Sequence, residues 1–173
     1  MTTLITGGSK CRKSRFAEDF LANYRERKIY IATMQPFGDE AKLTIQKHLR
    51  HRIGKGFETI EKYTDIHELK LPENSAVLLE CVGNLCANEM FSGKDIIMPS
   101  NKIINGIRSI SEQVSELVIV TNQVGSDGIR YAEGTAAYIA EMGRINSGIS
   151  QFADNVIECV YGIPIVIKGE LPC

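Results

Sequence analysis

Thr3-Leu4-Ile5-Thr6 is a short apolar run that ends abruptly in Gly7-Gly8, and soon afterwards Lys13-Ser14 opens a stretch of helical periodicity. In that stretch Phe16, Ala17, Phe20, Leu21 and Tyr24 share one face. A strand, a glycine-containing loop and Lys-Ser at a helix start form the layout of a phosphate-binding loop. The backbone N–H groups wrap the phosphates, the lysine neutralises them, and the serine hydroxyl can ligate Mg²⁺. The pattern G-x-x-x-x-G-K-[ST] is met at Gly7, Lys13 and Ser14, but Arg12 stands where the second glycine belongs. A glycine there lets the backbone approach phosphates without a Cβ; a non-glycine held in that conformation costs on the order of 1–3 kcal/mol. The competing reading is an ordinary turn before a basic helix. Lys10, Arg12, Lys13 and Arg15 at a helix N-terminus oppose the macrodipole, however, and an anionic ligand supplies a reason for them.

Beyond the loop, buried β-branched runs alternate with helical patterns. Strands are expected at residues 28–33, 57–63, 76–80, 117–121, 156–161 and 163–168, with Gly162 turning the last pair. A basic helix is expected over 39–52 with an inward stripe of Ala41, Ile45 and Leu49. A second helix carries Ile103, Ile107, Ile110 and Val114 behind a Ser100 N-cap, and a third spans 133–152. This alternation predicts an α/β fold, a doubly wound and mostly parallel sheet with an antiparallel edge strand. With no repeat or linker in its 173 residues, the chain reads as a single nucleotide-binding domain over 1–173.

Twenty basic residues balance 21 acidic ones, which argues against a duplex nucleic-acid binder. No apolar run reaches the roughly 20 residues that span a bilayer, and the N-terminus lacks a signal pattern. The five cysteines (Cys11, Cys81, Cys86, Cys159 and Cys173) have no CxxC spacing, which favours reduced, mostly buried thiols and a cytoplasmic location.

Two further residues carry chemistry. Glu80 ends the run Val77-Leu78-Leu79, where a phosphate-loop protein places the acid that holds Mg²⁺ directly or through water. His48 lies among Lys47, Arg50 and Arg52, whose like charge should keep its imidazole neutral and nucleophilic near pH 7. His48 and His51, three apart, also have a metal-ligand spacing, but no thiol or carboxylate is close in sequence. By spacing alone this is a solvated basic face.

Together these segments resemble a known family in order and content. The blocks are Thr6 to Arg15; Tyr30-Ile31-Ala32-Thr33 with Asp39-Glu40 and Ile45 to His48; Leu78-Leu79-Glu80-Cys81 with Asn88; Val120-Thr121-Asn122 with Val124-Gly125; and Gly143 to Asn146. They are similar to the adenosylcobinamide kinase/adenosylcobinamide-phosphate guanylyltransferases of cobalamin biosynthesis. The resemblance implies a P-loop NTPase-like fold and a bifunctional enzyme that uses ATP or GTP with Mg²⁺. It would phosphorylate the corrinoid adenosylcobinamide and then transfer GMP from GTP through a guanylyl-histidine. It implies His48 as nucleophile and Lys13 as the catalytic phosphate ligand. Nucleotide contacts would come from Gly7, Gly8, Ser9, Lys10, Cys11, Arg12, Lys13, Ser14, Thr33 and Glu80, and metal contacts from Ser14 and Glu80. Homo-oligomers, commonly trimers, are expected. Arg12, Gln123, Gly83 and the stretch 126–133 depart from the family pattern. They leave two alternatives: a divergent member that binds nucleotide or corrinoid without full turnover, and another small-molecule phosphate-loop kinase.

Overall fold

The structure, a computed structural model, describes residues 1–171 apart from the His51 side chain; Cys173 lies outside that range. Strands β1 (Thr2–Gly7), β2 (Arg27–Ala32), β3 (Phe57–Glu61), β4 (Ser75–Glu80), β5 (Glu116–Val120), β6 (Asn155–Val160) and β7 (Ile163–Lys168) form one sheet in the order β3-β2-β4-β5-β1-β6-β7. Every pair is parallel except β6–β7, the expected antiparallel edge. The helices are α1 (Lys13–Phe20), α2 (Gly38–Arg52), α3 (Val82–Met90), α4 (Ser100–Gln113) and α5 (Glu133–Phe152).

Strand residues alternate between two apolar layers, as the period of two requires. On one face Leu4, Ile29, Ile31, Leu79 and Ile119 pack with Leu85, Ile103, Ile107 and Ile145 from α3, α4 and α5. On the other, Ile5, Tyr30, Leu78 and Val118 pack with Ala17 and Leu21 of the α1 region. Each such fully buried side chain contributes about 1.5–3 kcal/mol against exposure. With both faces covered, the inner strands read as continuous apolar runs.

Three expectations need correction. Helix α3 was not anticipated, because it starts two residues after β4 and merges with its apolar run. Ser100 is the first residue of α4 rather than its cap, since Pro99 holds the cap position. The Ser100 N–H donates to Glu141 Oε2 at 2.8 Å, so a buried carboxylate from α5 satisfies this helix start. The α2 stripe does not face the core either: Leu49 is 46% exposed, and Ile45 turns into a cleft. Among the described residues, Cys86 and Cys159 are buried thiols, and Cys11 and Cys81 are half-buried.

Because β1, β2, β4 and β5 run parallel, their C-terminal ends meet on one edge of the sheet. Gly7, Ala32, Glu80 and Val120 therefore arrive together, and in open α/β sheets ligands bind at that edge.

Candidate active site

The loop between β1 and α1 depends on Gly7. At φ 146°, a Cβ there would sit 2.5 Å from the carbonyl oxygen of Cys159, its partner on β6. Further along, Lys10 and Arg12 adopt φ 60° and 71°, and Arg12 caps α1 in the left-handed region. The position that the sequence pattern reserves for glycine thus takes a glycine-like conformation with an arginine in it. Its side chain leans on the β6–β7 turn, where a Cβ on Gly162 would lie 3.4 Å from Arg12 Cδ.

A cleft of about 290 Å³ opens at the sheet edge. It gathers six of the residues named from sequence: Ser9, Lys13, Ser14, Thr33, His48 and Glu80. Lys13 is buried, and its Nζ donates to the Gly8 carbonyl at 2.9 Å, which closes the loop on itself. Gly8, Lys10, Cys11 and Arg12 instead line a separate groove against β6 with Glu158 and Tyr161; Ser9 belongs to both. The loop therefore divides its residues between two sides.

Thr33 is fully buried, with Oγ1 2.9 Å from the carbonyl oxygens of Glu80 and Cys81, and it accepts from the Cys81 N–H at 2.9 Å. Its hydroxyl is thus spent on fixing the end of β4. Glu80 is thereby aimed into the cleft, where its Oε2 lies 3.5 Å from His48 Nδ1. The carboxylate missing around His48 in the sequence is supplied by the fold. Burial pushes the Glu80 carboxyl up to about 7; the Ser14 hydroxyl and Lys13 work against that shift, while Glu18 adds to it. Ser14 and Glu80 thus bring two oxygen donors together, a donor set that suits a hard divalent cation.

The sequence reading missed two features. Arg52 was counted only as a basic neighbour of His48, yet it is 7% exposed, lines the cleft, and lies over the Tyr30 ring at 3.4 Å from the centroid. Its signal was the i, i+4 spacing from His48. Asn84 of the unanticipated α3 also lines the cleft, as does Asn122, which donates to Cys81 Sγ at 3.4 Å. Gly83 has a structural reason: a Cβ there would meet Tyr138 Oη at 2.9 Å and Asn122 Nδ2 at 3.0 Å.

The family described as "Cobinamide kinase / cobinamide phosphate guanyltransferase" matches residues 3–167. The bifunctional adenosylcobalamin biosynthesis protein CobU of Escherichia coli (strain K12) is 31% identical over 184 residues, spanning 97% of this chain and 100% of the relative. The protein of the same name from Salmonella typhimurium is 30% identical over the same shares. CobP of Pseudomonas aeruginosa is 25% identical over 98% of this chain and 99% of its own length. Among solved structures, one from Pyrococcus horikoshii OT3, Project ID PH0250, aligns with a TM-score of 0.51 at 10% identity. It covers 97% of this chain and 86% of that one, a likeness of fold alone. A glycine-opened loop leading from the inner strand β1 to Lys13-Ser14, an imidazole and an acid on one cleft, and a match over nearly the whole length agree: the chain belongs to the cobinamide kinase/cobinamide phosphate guanyltransferase family.

Proposed function

We propose that this protein phosphorylates adenosylcobinamide and then transfers GMP from GTP to the phosphorylated product. The observation that carries this reading is the placing of His48, Lys13, Ser14 and Glu80 on a single cleft. In the kinase step the acceptor hydroxyl attacks the γ-phosphorus of ATP or GTP, the bond to the β-phosphate oxygen breaks, and the hydroxyl proton is released. Lys13 and the loop amides hold the phosphates. Ser14 and Glu80 would hold Mg²⁺, which supplies neutralisation of phosphate charge.

In the second step His48 attacks the α-phosphorus of GTP and pyrophosphate leaves. Glu80 Oε2 lies 3.5 Å from Nδ1, where the carboxylate orients the ring, and the attack is assigned to Nε2. An oxygen of the corrinoid phosphate then attacks the same phosphorus. The P–N bond breaks, and the imidazole regains its electron pair. Beside the cleft a groove of about 400 Å³, which shares Met34 and Asn84 with it, offers the acceptor an approach. Among the described residues no helix is long and apolar enough to cross a membrane.

The test is incubation with GTP labelled in the α-phosphate and Mg²⁺. Acid-labile label should remain on the wild-type protein and be absent from His48→Ala, while phosphorylation of adenosylcobinamide persists in that variant. Label retained by His48→Ala removes the assigned nucleophile. Arg12 favours a second reading, a member that binds nucleotide without turnover, because a non-glycine residue holds a left-handed backbone position in the loop. GTP binding without either transfer reaction would select that reading.

A further inference from the structure

Arg52 ends α2, and among the described side chains of that helix it alone is buried. Its Nη1 has no hydrogen-bond partner among the described residues. No described carboxylate pairs with it. Glu18, the acid whose field reaches it, is held by Lys55 at 2.6 Å. The Tyr30 ring covers one face of the guanidinium and fixes its plane. A buried cation with an unused donor is an unfavourable arrangement in the absence of a ligand. The same guanidinium lines the cleft that holds Lys13, Ser14 and His48.

We propose that Arg52 is the anion anchor of the guanylyl-transfer step, with its free Nη1 donating to an oxygen of the α-phosphate of GTP. The proposal rests on the guanylyltransferase reading. His48 and Arg52 are i and i+4 on one helix face, about 6 Å apart along the axis. A phosphate held by Arg52 therefore lies beside the imidazole that attacks it, while Lys13 approaches from the loop side. Negative charge grows on the α-phosphate oxygens during attack, and a pre-oriented, weakly hydrated guanidinium suits that position better than an ammonium. The arginine is thereby a specificity element as well: it distinguishes a phosphate-bearing ligand from a bare nucleoside.

Arg52→Met keeps the apolar contact with Tyr30 and removes the charge; Arg52→Lys keeps the charge and loses the planar fork. Without ligand, Arg52→Met should melt at or above the wild-type temperature, because an unpaired buried charge has been removed. With GTP and Mg²⁺ it should lose the nucleotide-induced rise in Tm, and the GTP concentration for half-maximal labelling of His48 should increase at least tenfold. Arg52→Lys should recover only part of that loss, and guanosine should stabilise none of the three proteins. Wild-type GTP affinity and labelling in Arg52→Met overturn the proposal. So does a marked fall in melting temperature of both variants with GTP affinity unchanged, since that marks a structural role. Calorimetry with GMP, which carries only the α-phosphate, separates this proposal from its parent reading. If the wild type is never labelled but binds GMP in an Arg52-dependent way, the anion anchor stands and the transferase reading fails. If GMP binding is the same in all three proteins, the anchor fails.

Discussion

Arg12 holds a backbone conformation that side chains avoid, and its aliphatic stem is turned toward Gly162 rather than toward the cleft lined by Lys13 and His48. Arg12→Gly should therefore relieve strain and raise stability by about 1 kcal/mol while GTP affinity is retained; thermal melts and a GTP titration check both. Glu80 behaves differently. Its folded-state carboxyl is raised from 4.5 to about 7, so between those values the native protein holds a proton that the unfolded chain has released. Stability contributed by this group is complete below pH 4.5 and is lost as the pH rises to 7, by roughly 3 kcal/mol at most. Glu80→Gln should match the wild type near pH 4.5 and exceed it at pH 8 in urea denaturation. A constant difference across that range would count against the shift. At this scale the sequence revealed identity but not direction. Lys13, Ser14 and Glu80 were readable from the loop pattern and the strand end, and His48 only through the family resemblance, whereas the outward lean of Arg12 and the burial of Arg52 depend on contacts with β7's turn and β2.

The elements whose periodicity was unbroken stand where the sequence placed them: α5 over Glu133–Phe152, and the strands within a residue or two, apart from the shorter end of β3. α3 was hidden because Cys81 alone separates strand from helix, without a turn signal. The start of α4 was misread for a related reason. Its cap comes from Glu141, forty-one residues away, which no local pattern discloses. That carboxylate is buried with the Ser100 N–H and an Arg144 ion pair. Glu141→Ala should cost about 2 kcal/mol, read by chemical denaturation, because it leaves the buried Ser100 N–H unpaired, while the largely exposed Arg144 is solvated instead. α2 stands apart, with its sequence stripe divided between cleft and solvent; it serves as a carrier for His48 and Arg52 more than as a core element.

For the molecule as a whole, alternating strands and helices were enough to read the mostly parallel sheet with its antiparallel edge, while the order of its strands was not, since pairing across distant segments leaves no local trace. The outer strand β7 exposes Ile163, Ile165 and Ile167 at 65%, 47% and 60%. An apolar edge of this kind calls for cover, and a second copy of the chain fits the expected homo-oligomer. Ile165→Lys with Ile167→Lys should lower the molecular mass measured by light scattering; a monomeric wild type would remove the expectation. β1, which launches the phosphate loop, lies between β5 and β6, with Thr2 facing Leu117 and Thr3 facing Asn155. Those neighbours leave the ribosome more than a hundred residues after it. Its two ladders close late in synthesis, and high contact order of this sort slows folding. A chain truncated before residue 155 would carry every loop residue yet lack one wall of the strand that aims it. Affinity for nucleotide is on that account expected to require β6 as well as the loop itself.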